Sequence, residues 1–153
     1  MRYITAIAAL LAALMTPSPV AAGTWGHGQF DSDHALDFAA DWAEAGTVES
    51  IRDALTFATD QAYLEAPDAE KALVAAEVVA ASMGKPNKKL PAELAAWISK
   101  QSAQELRSMA PLALSAIERV RSPSGSELYE LWSEQDATQW LTHVNELVIR
   151  LKS

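Results

Sequence analysis

Residues 72–81, near the middle of the chain, limit its possible folds more than any other part, because every position there except Glu77 is apolar. The stretch lies in a longer segment that begins at Pro67 and stops at Gly84, residues that favour the start and the end of a helix. A helix that is apolar on all sides is usually buried on all sides. We therefore predict a central helix over about residues 68–83, with the rest of the chain packed around it.

The remaining sequence also favours helices. Apolar residues recur at helical spacing, no long segment alternates apolar and polar residues, and residues able to cap helices precede several apolar segments. Pro111 lies inside one predicted helix and should kink or split it. The prediction is an all-α fold in which residues 23–153 form a single compact domain of about seven helices.

The first 22 residues have the order of a secretory signal peptide. A short positively charged start is followed by a largely apolar run of twelve residues, 4–15, by a turn with two prolines and by the small residues of Val20-Ala21-Ala22. As a helix the apolar part spans roughly 18 Å, against about 30 Å of bilayer hydrocarbon. We expect cleavage after Ala22, export to the periplasm or the medium, and no stable membrane insertion afterwards.

The composition excludes several classes of function. The absence of Cys excludes disulfides, thiolate metal sites and a cysteine nucleophile. A net charge of −8 argues against nucleic acid as a partner, because phosphate binding depends on Lys and Arg. Residues 23–77 carry twelve acidic and two basic residues, whereas residues 78–153 carry eight and nine. This uneven charge is compatible with another protein, a basic one included, as the partner.

A Gly-rich segment before the first predicted helix holds five candidate metal ligands: His27, Asp31, Asp33, His34 and Asp37. Their spacing is not that of an EF-hand, which needs Gly at its sixth position and Glu at its twelfth. Acidic residues that favour the dipole at a helix start, on a solvated face, explain the same pattern. We expect no cofactor, with a divalent metal at these five residues as the alternative.

The first helix is predicted to have two different faces. On a helical wheel Asp33, Asp37, Asp41 and Glu44 fall within about 80° of one another, and Trp42 points the other way. One face is therefore acidic, either solvated or available to a partner protein.

Glu77 is the one charged residue in the apolar stretch, and a buried carboxylate is costly unless it is paired or hydrogen-bonded. It is either a tuned acid, base or metal ligand, or a structural anchor, which we favour. As an anchor it would pair with Arg52 or accept hydrogen bonds from the Gly-rich segment. An ion pair with the α-amino group of Gly23, freed by cleavage, is a further alternative.

Other potential sites have a plainer explanation. The aromatic residues are predicted to be core rather than the lining of a ligand pocket, because they fall on inner helix faces: Trp25, Phe30, Trp42, Trp97, Trp132 and Trp140. The sequence contains no G-x-S-x-G motif and only three His, so nucleophilic catalysis is poorly supported. The lysines of the loop over residues 85–90 are predicted to be merely solvated.

The segment G-T-W-G-H-G-Q-F-D-S-D-H-A-L-D, residues 23–37, resembles the start of a bacterial family known as domain of unknown function 4259. Members of that family have the pattern W-G-x-G-x-F-x-x-D-x-A-x-D, usually directly after an initial Met-Gly rather than behind a signal peptide. Residues 63–80 and 126–132 contain further similar stretches. The family has no assigned activity, so the resemblance implies membership of a family but no function. The candidate binding residues are Trp25, Gly26, His27, Gly28, Phe30, Asp31, Asp33, His34, Asp37 and Glu77.

Three functions compete at this point. The favoured one is a non-enzymatic, exported protein-interaction module of inhibitor-like or immunity-like type, because the sequence offers no catalytic set. The alternatives are a metal-binding protein or metal-dependent hydrolase that uses residues 27–37, and a binder of a small ligand between helices.

Overall fold

The computed structural model of this chain describes Thr24 and residues 26–153, and this part forms eight α-helices and no strand. The helices are α1 (Asp33–Ala45), α2 (Val48–Asp60), α3 (Ala66–Ser82), α4 (Ala92–Ser99), α5 (Ala103–Arg107), α6 (Ala110–Val120), α7 (Glu127–Ser133) and α8 (Thr138–Lys152). Buried residues of all eight helices belong to one hydrophobic cluster. The prediction of a single compact all-α domain is confirmed.

The central helix of the fold is α3. It packs against each of the other seven helices, and residues 72–80 are all buried. The helix predicted over about residues 68–83 is therefore confirmed, with its ends at Ala66 and Ser82. Because α3 is apolar around its circumference, enclosing it in helices removes apolar surface from water on every side.

The count of eight helices instead of about seven arises at Pro111. Helix α5 ends at Arg107, and α6 begins at Ala110 with Pro111 in its first turn. A proline inside a helix lacks the N–H donor and clashes with the preceding turn. The segment expected to be kinked or split is accordingly split into two helices.

Helix α3 ends in a turn that requires glycine. Gly84 has a φ of 80°, which L side chains rarely adopt. Its N–H donates to the carbonyl of Ala81 at 3.0 Å, and the N–H of Lys85 donates to that of Ala80 at 3.1 Å, as in a Schellman motif. The turn directs the following loop, residues 85–90, towards α8 and towards the segment that precedes α1.

Residues 1–22 and the expected cleavage site before Gly23 lie outside the described residues. Among the helices of the described part, none is both long and apolar enough to cross a membrane.

Candidate functional site

Asp31 is buried in the entry segment, residues 26–32, which leads into α1. Its Oδ2 atom accepts a hydrogen bond from the backbone N–H of Gly28 at 3.1 Å, and its Oδ1 atom lies 2.7 Å from Nζ of Lys89. Burial opposes ionisation of this carboxyl, but the hydrogen bond and charge of Lys89 and the N–H of Gly28 outweigh it and lower the pKa of Asp31. The ionised carboxylate of Asp31 therefore stabilises the folded protein in full above the ordinary aspartate pKa. This contribution to the free energy of unfolding is lost as pH falls through the lowered pKa of the folded state.

The two glycines of the entry segment leave room for this carboxylate. A Cβ atom at Gly26 would lie 2.5 Å from Oδ2 of Asp31, and a Cβ atom at Gly28 would lie 2.9 Å from the same oxygen. Both distances are shorter than real contacts of a Cβ atom, so a side chain at either position would displace the carboxylate. The W-G-x-G pattern thus has a packing role here, and its glycines surround the carboxylate of Asp31.

Glu77 is fully buried and paired. Its two carboxylate oxygens each accept a hydrogen bond from the guanidinium of Arg150 at 2.8 Å, and Oε1 also accepts one from Nδ2 of Asn87 at 2.9 Å. Arg150 additionally donates to the backbone carbonyl of Lys85 at 3.1 Å. This bidentate geometry is the strong form of a charge-assisted hydrogen bond. The interactions join α3, the 85–90 loop and α8.

Two of the partners that we expected for Glu77, Arg52 and the described part of the entry segment, do not bind it. Arg52 instead approaches Glu49 at 3.5 Å on the surface of α2, and within the described residues the entry segment donates no hydrogen bond to Glu77. Gly23, the other partner considered, lies outside the described residues. The structure is consistent with a structural anchor, but the anchor is held by α8.

The five candidate metal ligands do not converge on one site. The ring of His27 lies 5.0 Å from that of Trp132, between centroids, and Asp31 is paired with Lys89. Nδ1 of His34 lies 3.4 Å from a carboxylate oxygen of Glu70, whose pKa is raised by burial, while Asp33 and Asp37 are exposed on α1. In the part of the chain that the structure describes, no three His, Asp or Glu side chains are placed to hold a metal ion.

We expect divalent metals to leave the stability of residues 23–153 unchanged, because the five side chains do not share a coordination site. After EDTA treatment, adding Ca²⁺, Mg²⁺, Mn²⁺ or Zn²⁺ singly should shift Tm by less than about 1 °C, since only an ion that binds the folded form raises Tm. A stabilising shift of several degrees that disappears in the double variant His27→Ala, His34→Ala would contradict this result and restore the metal alternative.

The acidic face predicted for α1, formed by Asp33, Asp37, Asp41 and Glu44, is exposed at all four positions. None of these four carboxylates forms an ion pair with another described residue. The opposite side of α1 is buried through Ala35, Ala39 and Trp42. The helix is thus held by its apolar side and presents an uncompensated row of carboxylates to solvent.

The six aromatic residues predicted to be core belong to it wherever the structure describes them. Those predicted as core are buried: Phe30, Trp42, Trp97, Trp132 and Trp140. The rings of Trp132 and Trp140 stack with centroids 6.3 Å apart, which fills volume rather than leaving an aromatic pocket. Trp25 lies outside the described residues.

A cleft of about 550 Å³ opens beside Asp31, between the entry segment, the 85–90 loop and α8. We call it the α8 cleft. Phe30 and Ile149 contribute apolar surface to it, and Ile149 is 65% exposed, more than any other large hydrophobic residue of the described part. The lining contains no Ser, Thr, Tyr or Cys side chain, and Asp31 is already bound by a cation. The lining side chains of the cleft therefore offer no hydroxyl or thiol nucleophile.

Sequence reasoning missed the residues that organise this region. Lys89 was expected to be merely solvated, yet it forms the ion pair with Asp31. Arg150 and Asn87 were not singled out, although both bind Glu77. The available signal for Arg150 was its position next to the apolar residues of α8, but such an arginine often has only its aliphatic part buried.

Comparison with known proteins gives a match to a family model. The model of the family described as domain of unknown function (DUF4259) matches residues 23–143, from the entry segment into α8. The matched span contains Asp31, Glu77 and Lys89 and ends before Arg150. No curated protein and no solved structure matches the chain significantly.

Proposed function

This chain belongs to the family described as domain of unknown function (DUF4259), and on that premise we propose that it is an exported, non-enzymatic protein-interaction module. Its acidic face docks a basic surface of a partner protein. The role is inhibitor-like or immunity-like in type, meaning that the chain acts by binding to its partner and covering the partner's basic surface.

The observation that carries this proposal is the uncompensated charge on α1. Asp33, Asp37 and Asp41 follow one another at intervals of four residues, a spacing at which like charges destabilise a helix. Asp41 and Glu44 also lie in the C-terminal half of α1, where the helix dipole disfavours negative charge, and the last turn contains no basic residue. A basic partner would offset both effects and would be steered to the face by its charge.

Two further features support the non-enzymatic and exported parts of the proposal. The buried carboxylates Asp31 and Glu77 are held in ion pairs, so neither is poised as a general base. The apolar run of residues 4–15 with small residues up to Ala22 has the order of a cleaved signal peptide. N-terminal sequencing of the protein recovered from the cell exterior or periplasm should begin at Gly23, and a sequence that begins at Met1 would contradict export by cleavage.

The docking proposal is tested by removing the charge of the acidic face without changing its shape. The variant Asp33→Asn, Asp37→Asn, Asp41→Asn, Glu44→Gln should keep its fold, because all four side chains are exposed and unpaired within the described part. We expect this variant to retain at least about tenfold less of a protein that the wild-type chain captures from the periplasmic extract. High salt should also reduce the amount that the wild-type chain retains, since salt screens exposed charges.

The matched control removes four exposed acids elsewhere: Asp60→Asn, Glu93→Gln, Glu105→Gln and Glu134→Gln. The control has the same net charge as the test variant, so it should retain the partner as the wild-type chain does. Equal retention by all three proteins, or an equal loss in both variants, would show that the acidic face is not a docking surface.

A further inference from the structure

Besides the acidic face, the molecule has a second candidate binding surface, the α8 cleft, which is concave and partly apolar. We propose that the α8 cleft binds an organic carboxylate with an apolar body. This site is separate from the acidic face, and the inference does not depend on the proposed docking function.

The walls of the α8 cleft are held in place before any ligand arrives. The ion pair between Asp31 and Lys89 joins the entry segment to the 85–90 loop, at 2.7 Å. The ion pair between Glu77 and Arg150 joins α3 to α8, and Asn87 ties the loop to the same carboxylate. A volume of about 550 Å³ lies within the range of small-molecule sites. Such a preformed cleft loses little conformational freedom on binding.

The lining of the cleft contains three basic residues and two acidic ones, in a protein whose net charge is −8. Lys89 and Arg150 are paired with Asp31 and Glu77. The remaining acid of the lining, Glu146, lies 3.6 Å from a ring nitrogen of His143, a contact that is an ion pair only when this histidine is protonated. Lys88 also lines the cleft and forms no ion pair with any acid of the described part. Lys88 is therefore the cation of the lining that remains available to an anion.

Gln29 adds an unused hydrogen-bond donor. The residue is only 7% exposed and lines the α8 cleft, and its Nε2 atom is buried without a hydrogen-bond partner among the described residues. Buried donors are rarely left unpaired in folded proteins. A ligand oxygen would supply the acceptor, and a carboxylate has two oxygens, one for this amide and one for the ammonium of Lys88.

The apolar part of the lining selects the rest of the ligand. Phe30, Pro86 and the largely exposed Ile149 lie on the same cleft as the donors. Covering Ile149 with a hydrocarbon group removes apolar surface from water. A carboxylate attached to an aliphatic or aromatic body uses both kinds of surface, whereas inorganic phosphate or sulfate would use only the donors.

The first test titrates ¹⁵N-labelled residues 23–153, which contain all eight helices, with 3-phenylpropionate at neutral pH. Its uncharged analogue, 3-phenylpropionamide, is the matched control ligand. We expect saturable chemical-shift changes at residues 28–31, 86–89 and 143–150 for the acid, and at least roughly tenfold weaker binding of the amide, because charge-assisted hydrogen bonds are stronger than neutral ones.

Two variants remove the proposed contacts one at a time. Lys88→Gln and Gln29→Leu should each weaken binding of the acid by roughly tenfold, the effect of losing one hydrogen bond to a charged group. Gln29→Leu should leave Tm of the unliganded protein unchanged or raised, since it removes a buried amide that has no partner. Lys100→Gln removes an exposed lysine after α4, outside the cleft lining, and should leave the affinity unchanged.

The source of the carboxylate is distinguished by a peptide. Acetyl-Ala-Ala-Phe with a free C-terminus should bind more tightly than 3-phenylpropionate if the cleft receives the end of a chain, and more weakly if it receives a free small acid. In both cases the amidated peptide should bind at least roughly tenfold more weakly than the peptide acid. Equal affinities for acid and amide, shifts confined to α1, no saturation, or an equal loss in Lys88→Gln and Lys100→Gln would overturn the proposal.

Discussion

Replacing Arg150 by Met should lower the free energy of unfolding by about 3 to 5 kcal/mol, because it leaves the carboxylate of Glu77 buried without a charge partner. Glu77 has no solvent exposure and relies on Arg150 for both of its short charged contacts. The remaining hydrogen bond from Asn87 comes from a neutral amide and cannot compensate the charge. Urea denaturation of the wild-type and variant proteins at neutral pH measures the difference.

Two matched variants identify the ion pair as the cause. The double variant Glu77→Leu, Arg150→Met should recover much of the lost stability, because replacing a buried ion pair by apolar residues of similar volume is often nearly neutral. Arg52→Met removes an arginine paired with Glu49 on the surface, and should cost about 0.5 kcal/mol or less. If Arg150→Met costs no more than Arg52→Met, or if the double variant is less stable than the single one, Glu77 is not held by this pair.

Replacing Gly26 by Ala should cost about 2 to 3 kcal/mol, towards the upper end of the range for overpacking a well-packed site. The new Cβ atom would lie 2.5 Å from Oδ2 of Asp31 and would push the carboxylate away from the N–H of Gly28 and from Lys89. Thermal and urea denaturation measure this loss. Gly125→Ala is the matched control, because a Cβ atom there meets its nearest neighbour, Oγ of Ser122, at an ordinary 3.4 Å.

The pH dependence shows whether the cost passes through Asp31. The pKa of Asp31 is lowered in the folded protein, so its contribution is complete at neutral pH and is lost as pH falls below the ordinary aspartate value of about 3.9. The difference in Tm between the wild-type protein and Asp31→Asn should therefore shrink in that acidic range. In Asp31→Ala the additional cost of Gly26→Ala should be much smaller. Full additivity of the two substitutions would exclude a clash with this carboxylate.

Local signals in the sequence were sufficient for the helices. Ser32 and Thr47 cap α1 and α2 because their hydroxyl oxygens accept N–H groups of the first turn, a contact between residues three positions apart. Pro111 and Gly84 likewise act through their own backbone geometry. The burial of α3 followed from its composition, because a helix without a polar side can only be stable when enclosed.

The same local reasoning failed for the contacts of the charged residues. Glu77 and Arg150 are 73 positions apart, and Asp31 and Lys89 are 58 apart. A buried carboxylate signals that it needs a cation, but nothing in a single sequence says which of the available cations the packing brings to it. Arg52 is closer to Glu77 along the chain than Arg150 is, yet it lies on the surface of α2, where it approaches Glu49.

For the candidate site, sequence proximity was itself misleading. His27, Asp31, Asp33, His34 and Asp37 fall within eleven positions, but successive residues of a helix point about 100° apart and the entry segment turns Asp31 inward. The sequence by itself determined the helices, the central position of α3, the acidic face of α1 and the family. Only the tertiary structure decided which charges meet and where the α8 cleft opens, because both depend on how distant helices pack, and helix periodicity carries no information about that packing.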